Sequence, residues 1–306
     1  MTAAVHAGLS WRRRIWRRFL RHRAAVAGGT FLLILALAAL AAPVIEAALG
    51  TDASFADLYQ RLELPSWGHP LGTDELGRDL LVRLLYGGRV SLAVALAAAV
   101  FCAAIGTAVG LVAGYRGGWL DTILMRMTDG VIALPLLPLL IVLVAVDPTK
   151  LGLSESLAAS EHLSLYRMVA IIALVGWTQV ARLVRAETLA MREREFVRAA
   201  LALGAGPMRV MLRHILPNVV SPIVVATTLS VGNIILLESV LSFLGLGIQP
   251  PVASWGNMLT NAQELIWSEP QLALWPGLLI FATVVAFNLL GDGLQDALDP
   301  RALDRD

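Results

Sequence analysis

The chain has 306 residues, of which 57% are hydrophobic, and its formal net charge is only +1. Its mean hydropathy of +0.71 is too high for an ordinary soluble domain. A net charge this close to zero provides no global field that would attract nucleic acid or an acidic substrate. Several apolar runs reach the ~20 residues that a helix needs to cross a bilayer. These features predict an all-α integral membrane protein.

The first segment, residues 1–23, is basic, and a transmembrane domain is predicted over residues 24–306, with its first span at 24–45. Helical periodicity separates the arginines of residues 11–23 from an apolar face, as in a helix lying on an anionic inner-leaflet surface. A plain basic flank that only orients the next span is the alternative, and both can hold. A cleaved signal peptide is a further alternative, but the apolar run exceeds the usual ~7–15-residue signal core. The apolar face consists of Trp11, Ile15, Trp16, Phe19 and Leu20.

A mixed polar segment follows at residues 46–89, and its end reads HPLGTDELGRDLLVRLLYGGRVSL. The glycines of this stretch predict turns and a short helix rather than a span. His69, Asp74 and Asp79 could suggest a metal site, but their spacing matches no ligand template. The interpretation preferred here is a structural, hydrogen-bonded loop.

The remaining apolar runs predict five further spans. Gly106, Gly110 and Gly114 recur every four residues in the second span, which predicts close approach of another helix. Pro135 and Pro138 lie inside the third span, where neighbouring groups can satisfy the carbonyls that a proline kink frees. The five spans are predicted at 90–113, 122–146, 167–186, 219–241 and 272–291.

Charge indicates the topology. Most of the 24 Lys and Arg residues fall in residues 1–23, 114–126 and 182–213 and in the C-terminal tail. If these segments are cytoplasmic, the chain follows the positive-inside rule, with both termini in the cytoplasm. Residues 242–271 contain no Lys or Arg and are rich in Gly, Pro and Trp, as expected for a loop on the other side. The polar excursion at 147–166 has no physical explanation in the sequence.

Few polar residues lie within the spans. Gln179, Asn233, Glu238 and Asn288 are therefore candidates for a translocation pathway. A charged group in a span costs about 2.5–3.5 kcal/mol on insertion scales, so Glu238 is expected to face a cavity or a partner. The alternative is that Glu238 lies near the outer headgroups and hydrogen-bonds the backbone.

Motifs for catalysis are not found. A Walker A loop needs a lysine followed by Ser or Thr, but the single lysine, Lys150, is followed by Leu151. The sequence has no HExxH, GxSxG or Cys/His cluster, and its one cysteine is Cys102. We therefore expect a non-enzymatic chain with no bound metal or cofactor.

The most informative stretch is residues 187–218, a basic segment between two apolar runs. Good helix formers over 188–203 predict a helix that Gly204 closes in a left-handed conformation. Pro207 suits the start of a second, short helix, which is expected to end near Pro217. A solvated amphipathic loop and a DNA-binding helix-turn-helix are the alternatives, and tethering to spans at both ends disfavours the second.

This stretch resembles the EAA loop of bacterial ABC-importer permeases, which has Glu, Ala-Ala, Gly and Leu-Pro in this order. His214 departs from the broad consensus, and HILPN is similar to the dipeptide/oligopeptide/nickel subfamily, in which LGTDELGRD is also typical. The motifs GYRGGWLD, ESVLSFLGLGIQPP and GDGLQDALDPR follow the order of that family, so the resemblance covers nearly the whole chain. The matching residues, with the small neighbour Ala205, are Glu195, Ala199, Ala200, Gly204, Ala205, Leu216 and Pro217.

The resemblance implies a type I ABC importer permease fold of six transmembrane helices, similar to the C-type subunit of peptide systems. It implies that the loop is a cytoplasmic coupling helix docking on an ATPase, and that the chain lies in the bacterial inner membrane. The implied partners are a second permease subunit, one or two ATPases that bind ATP and Mg, and an extracytoplasmic binding protein. The cargo remains open among dipeptides, oligopeptides, nickel chelates, glycosides and antimicrobial peptides. An ion-gradient-driven secondary transporter and a membrane scaffold are the alternatives.

Overall fold

The computed structural model describes residues 11–146, 148–152, 154 and 161–298. These residues form helices joined by turns, and within them the only β pairing is an isolated bridge between Thr73 and Asp79. The excursion predicted at 147–166 lies in part outside the described residues, and the end of the C-terminal tail does so as well. The helices are α1 (Trp11–Arg21), α2 (Arg23–Leu40), α3 (Ala42–Leu49), α4 (Leu80–Arg116), α5 (Gly118–Ala133), α6 (Leu136–Ala145), α7 (Glu161–Arg192), α8 (Glu195–Ala202), α9 (Leu216–Phe243), α10 (Trp255–Leu265) and α11 (Gln271–Leu298).

Helices long and apolar enough to span a membrane confirm the all-α, six-span prediction for the fold. There are 5 such helices among the described residues, and up to 6 if the bent pair α5 and α6 counts as one span. Short 3-10 turns at Leu58–Gln60 and Pro148–Leu151 lie in connecting segments. The 5 straight candidates are Arg23–Leu40, Leu80–Arg116, Leu163–Arg192, Pro207–Phe243 and Gln271–Leu298.

The second spanning helix begins earlier than the sequence suggested, at Leu80 rather than at residue 90. The Asp79 side chain explains this start because it accepts a hydrogen bond of 2.8 Å from the Val82 amide, as an N-cap does. Gly88 is helical rather than part of a turn. A Cβ atom there would lie 2.9 Å from the Trp255 ring, so this glycine allows α10 to pack against α4.

The glycine repeat in α4 packs against α7, as predicted. A Cβ atom on Gly106 would lie 2.6 Å from the Trp177 carbonyl oxygen, and one on Gly114 would lie 2.7 Å from the Thr188 Cβ. The absence of side chains at these positions therefore brings the two helix backbones together over several turns.

The proline kink in the third span is also confirmed. Helices α5 and α6 are bent by 89° at a break that contains Pro135, which has an extended backbone conformation. Because the residue before a proline disfavours the α region, Leu134 leaves the helix there. The bend creates one wall of the cavity described below.

The first polar loop is held together by hydrogen bonds and ion pairs among its side chains. The His69 ring contacts the Asp79 carboxylate at 2.9 Å and the Gln60 amide oxygen at 3.0 Å. Asp74 accepts from Arg78 Nε at 2.8 Å and pairs with Arg83 Nε at 3.3 Å. The LGTDELGRD motif therefore builds a closed loop at the start of α4.

Candidate functional site

The loop between α7 and α9 carries a short separate helix, α8, instead of the single helix predicted over 188–203. Helix α7 ends at Arg192, and Arg194 has an extended backbone that starts α8. The Arg192 guanidinium donates a hydrogen bond of 3.2 Å to the Tyr115 carbonyl oxygen at the end of α4. Helix propensity is high throughout this stretch, so propensity does not explain the break, which coincides with this contact to a distant part of the chain.

Helix α8 is closed at Gly204 as predicted. Gly204 has a φ of +81°, in the left-handed region that glycine adopts most easily. The Ala205 amide donates a hydrogen bond of 3.0 Å back to the Ala200 carbonyl oxygen. Pro207 then occupies the first turn of the next helix, also as predicted.

The expectation that this second helix ends near Pro217 is wrong. The helix continues without a break from Pro207 to Phe243. Its turns from Val210 to Ile215 are π-helical, and the Leu216 amide bonds to the Met211 carbonyl oxygen five residues earlier. This wider turn lets Pro217 begin the α-helical part, where its missing N–H leaves no broken bond.

Helix α8 has one anchored face. The Val197 side chain is 0% exposed and packs in a cluster with Val184 of α7 and Val219 of α9. The same cluster contains Val210 and Ile215 of the π-helical turns that lead into α9. Movement of α8 is therefore transmitted to two spanning helices, because packed apolar side chains lose contacts when they separate.

The other faces of α8 are open. Leu203 is 88% exposed, while Phe196 and Leu201 are each more than two-fifths exposed. The Arg198 guanidinium beside Glu193 keeps the pKa of that carboxyl below its ordinary value. Of the residues that match the EAA motif, Glu195, Ala199, Gly204 and Pro217 are exposed, whereas Ala200, Ala205 and Leu216 are half-buried.

A cavity of about 640 Å³ lies among α4, α6, α7 and α9. Its lining is mostly apolar, with amides from Gln179 and Asn233, hydroxyls from Thr178 and Ser230, and the guanidinium of Arg182. Two of the four predicted pathway residues, Gln179 and Asn233, therefore line it. A cavity of this size and polarity is typical of small-molecule sites, which occupy roughly 300–1,000 Å³.

Two ion pairs join α5 to α7 close to this cavity. Arg182 donates one hydrogen bond of 2.6 Å to Asp129. Arg185 donates two hydrogen bonds, of 2.5 and 2.7 Å, to Asp121. These pairings could not be predicted from the sequence, because the packing of α5 on α7 is a property of the fold.

Glu238 does not line the cavity and is 0% exposed. Its carboxylate accepts hydrogen bonds from the Ser91 hydroxyl at 3.0 Å and the Ser242 hydroxyl at 2.7 Å. The same hydroxyl oxygens accept from the backbone amides of Trp255 and Ile248. Glu238 is therefore linked through two serine side chains to Ile248 within the loop between α9 and α10 and to Trp255 at the start of α10.

Asn288 also lies away from the cavity. It is exposed on α11 and does not contribute to the cavity lining. The structure thus separates the four predicted pathway residues into two in the cavity, one in a buried hydrogen-bond network and one on the outer surface of a helix.

Two family models match this chain. Residues 106–304 match the model described as the binding-protein-dependent transport system inner membrane component. Residues 10–61 match the model described as the N-terminal TM domain of oligopeptide transport permease C. Together the two matches include most of the helices described above.

Several curated proteins are similar over nearly the whole chain. The glutathione transport system permease protein GsiD of Pectobacterium atrosepticum is 42% identical, covering 94% of this chain and 91% of the relative. A putative peptide permease protein of Brucella suis is 40% identical, covering 93% of this chain and 89% of the relative. The dipeptide transport system permease protein DppC of Alkalihalophilus pseudofirmus is 38% identical, covering 94% of this chain and 90% of the relative.

Proposed function

The chain belongs to the family of binding-protein-dependent transport system inner membrane components, and from this premise we propose that it forms half of a pathway for short peptides. It is a permease subunit of an ABC importer, embedded in the inner membrane. In this proposal both termini are cytoplasmic, and a second permease subunit completes the pathway. An extracytoplasmic binding protein delivers the cargo, and partner ATPase subunits bind ATP and Mg.

The observation that carries the proposed coupling is the two-sided character of helix α8. Val197 fixes the helix to the cluster shared by α7 and α9, while Phe196 and Leu203 remain exposed. A helix with one anchored face and one exposed apolar face can fill a groove on a partner and transmit its movement. We therefore assign the ATPase contact to α8 and Gly204, so that closure of the ATPases pushes α7 and α9 together.

Relatives support a peptide as cargo, since their names specify glutathione, dipeptides and peptides. The cavity of about 640 Å³ provides amides from Gln179 and Asn233 that can bond to peptide groups. An ion-gradient mechanism would call for titratable groups in this cavity. Among its described lining residues only Arg182 is charged, which favours ATP as the energy source.

Site-directed cross-linking tests the assigned contact. Cys102 is the only cysteine in the chain, so a Cys102→Ser background allows one reporter thiol to be introduced. Leu203→Cys, in the complex with its partner subunits, should cross-link to an ATPase through a short maleimide–amine reagent, with a yield that changes when ATP is added. Trp267→Cys is the matched control, because Trp267 is 96% exposed but precedes α11 in the loop predicted on the other side. A failure of Leu203→Cys to reach an ATPase, or an equal yield from both positions, would reject this docking surface.

A further inference from the structure

Arg182 has an unusual position in the cavity. Among the described lining residues it alone carries a formal charge, and most of its neighbours there are apolar. Its side chain is 49% exposed, so the guanidinium lies at the cavity surface instead of in the protein interior. A cation in a mainly apolar recess attracts an anion more strongly than one on an open, solvated surface.

The hydrogen bonds of Arg182 leave much of its donor capacity unused. In the described part of the chain its guanidinium donates only one hydrogen bond, from Nη2 to Asp129. The neighbouring pair differs, because Arg185 bonds to Asp121 through both Nε and Nη2. The Asp121 side chain is 14% exposed, compared with 46% for Asp129. Arg185 therefore forms a closed structural pair, whereas Arg182 retains donors that can bind a second group.

Two amides lie on the walls of the same cavity. Gln179 precedes Arg182 by nearly one turn of α7, and Asn233 lies on α9. Neither amide makes a hydrogen bond to another described residue, although both side chains are accessible in the cavity. Residues one turn apart project from the same side of a helix, so Gln179 and Arg182 can contact one ligand together.

We propose that Arg182 binds the carboxylate of the cargo inside the translocation pathway, with Gln179 and Asn233 contacting its peptide groups. The inference rests on the proposed function and specifies the cargo as a peptide with a free carboxylate. The planar guanidinium matches a carboxylate in a two-bond arrangement, and charge-assisted hydrogen bonds of this kind are roughly twice as strong as those between neutral groups.

Asp129 acts in this arrangement as an exchangeable partner. It holds the guanidinium at the cavity wall through one hydrogen bond while no cargo is present. When a cargo carboxylate takes its place on the guanidinium, Arg182 keeps one carboxylate partner and the half-exposed Asp129 is hydrated. One carboxylate replaces another, so binding remains weak enough for release, which transport requires.

Direct binding provides the first test. The complex of this chain with the partner permease and the ATPases, without binding protein, is titrated with alanyl-phenylalanine and with the C-terminal amide of the same dipeptide. We expect the free acid to bind about tenfold more tightly than the amide, because the amide cannot form the charge-assisted pair with the Arg182 guanidinium. Arg182→Gln should remove this preference, and Asp129→Asn should keep it. Equal affinities for acid and amide in the unchanged complex would overturn the proposal.

Uptake in proteoliposomes separates cargo binding from a purely structural ion pair. With saturating loaded binding protein and a panel of short free-acid peptides, Arg182→Gln should lower uptake far more than Asp129→Asn, because Asp129→Asn leaves the guanidinium available to the cargo. The charge exchange of Arg182→Asp with Asp129→Arg should not restore uptake. The same exchange at Asp121 and Arg185 is the matched control. It should restore uptake, because that pair is purely structural and both of its charges are kept. Restoration at Arg182 and Asp129, or equal losses in the two single variants, would show a structural latch and reject the site.

The proposed function can fail separately. If the unchanged complex hydrolyses ATP but takes up none of the peptides, peptide transport is wrong and the carboxylate site is rejected with it. If peptides are taken up while Arg182→Gln transports them normally, only the carboxylate site is rejected.

Discussion

A Cβ atom added to Gly110 of α4 would lie 2.6 Å from the carbonyl oxygen of Ala181 on α7. Contacts this short are not available to real side chains, so the two backbones can approach only because Gly110 has none. The same helix α7 carries Gln179 and Arg182 into the cavity and ends next to α8, the proposed coupling helix. The packing of α4 on α7 therefore determines the position of both parts of the candidate site.

Replacing Gly110 by alanine should destabilise the protein. The added methyl group forces α4 and α7 apart, and overpacking of this kind costs about 1–3 kcal/mol. The expected result is a lower thermal midpoint of the detergent-purified complex. Gly130→Ala is the control, because a Cβ atom there would meet nothing within 4 Å. Equal midpoints for the two variants would contradict the close-packing explanation.

Glu238→Ala should destabilise the loop between α9 and α10. Without the carboxylate, the Ser91 and Ser242 hydroxyls lose their acceptor, and each buried unsatisfied group costs about 1–3 kcal/mol. The measurement is the thermal midpoint, with Asn233→Ala as a control on the same helix because Asn233 lines the cavity. A destabilisation by Asn233→Ala as large as that by Glu238→Ala would oppose the assigned roles.

Gly204→Asp should impair coupling to the ATPases. A Cβ atom on Gly204 would meet nothing within 4 Å of the same chain, so a substitution there acts on the backbone and on a bound partner. Asn and Asp have the same shape and both enter the left-handed region, so Gly204→Asn isolates the effect of the charge. We expect lower peptide-stimulated ATP hydrolysis in Gly204→Asp than in Gly204→Asn. Normal uptake by Gly204→Asp would reject the assignment.

Val197 and Phe196 should respond differently to replacement by alanine. Val197→Ala removes buried methyl groups, costs about 2 kcal/mol and should loosen α8, seen as faster amide hydrogen exchange in residues 195–202. Phe196→Ala should leave exchange unchanged but reduce co-purification of the ATPase, because Phe196 is 44% exposed. Identical exchange in the two variants would show that α8 is not anchored through Val197.

Features that depend on local chemistry could be predicted from the sequence. The spacing of Gly106, Gly110 and Gly114 indicated close helix packing, and Pro135 indicated the bend between α5 and α6. Gly204 was recognised as a helix end because glycine alone adopts a positive φ without strain. In each of these positions the residue type has one strong geometric preference.

Features that depend on distant contacts could not be predicted. The break before α8 lies beside Arg192, whose guanidinium bonds to the carbonyl oxygen of Tyr115, far away in the chain. The helix continues through Pro217 because a π-helical turn shifts the hydrogen bonding, and residue types do not encode that shift. Glu238 was a pathway candidate because it is an ionisable residue in a predicted span, and the sequence does not show its contact with Ser91 on another helix.

The coupling of this chain to an ATPase is tested most directly by the ATP hydrolysis rate of the complex that it forms with its partner subunits in lipid bilayers. The rate is measured with and without loaded binding protein. We expect an ATPase to co-purify with the chain, and we expect binding protein loaded with a short peptide to increase its hydrolysis rate. The proposed coupling would be contradicted if no ATPase associated with the intact, membrane-embedded chain. It would also be contradicted if loaded binding protein left the hydrolysis rate unchanged.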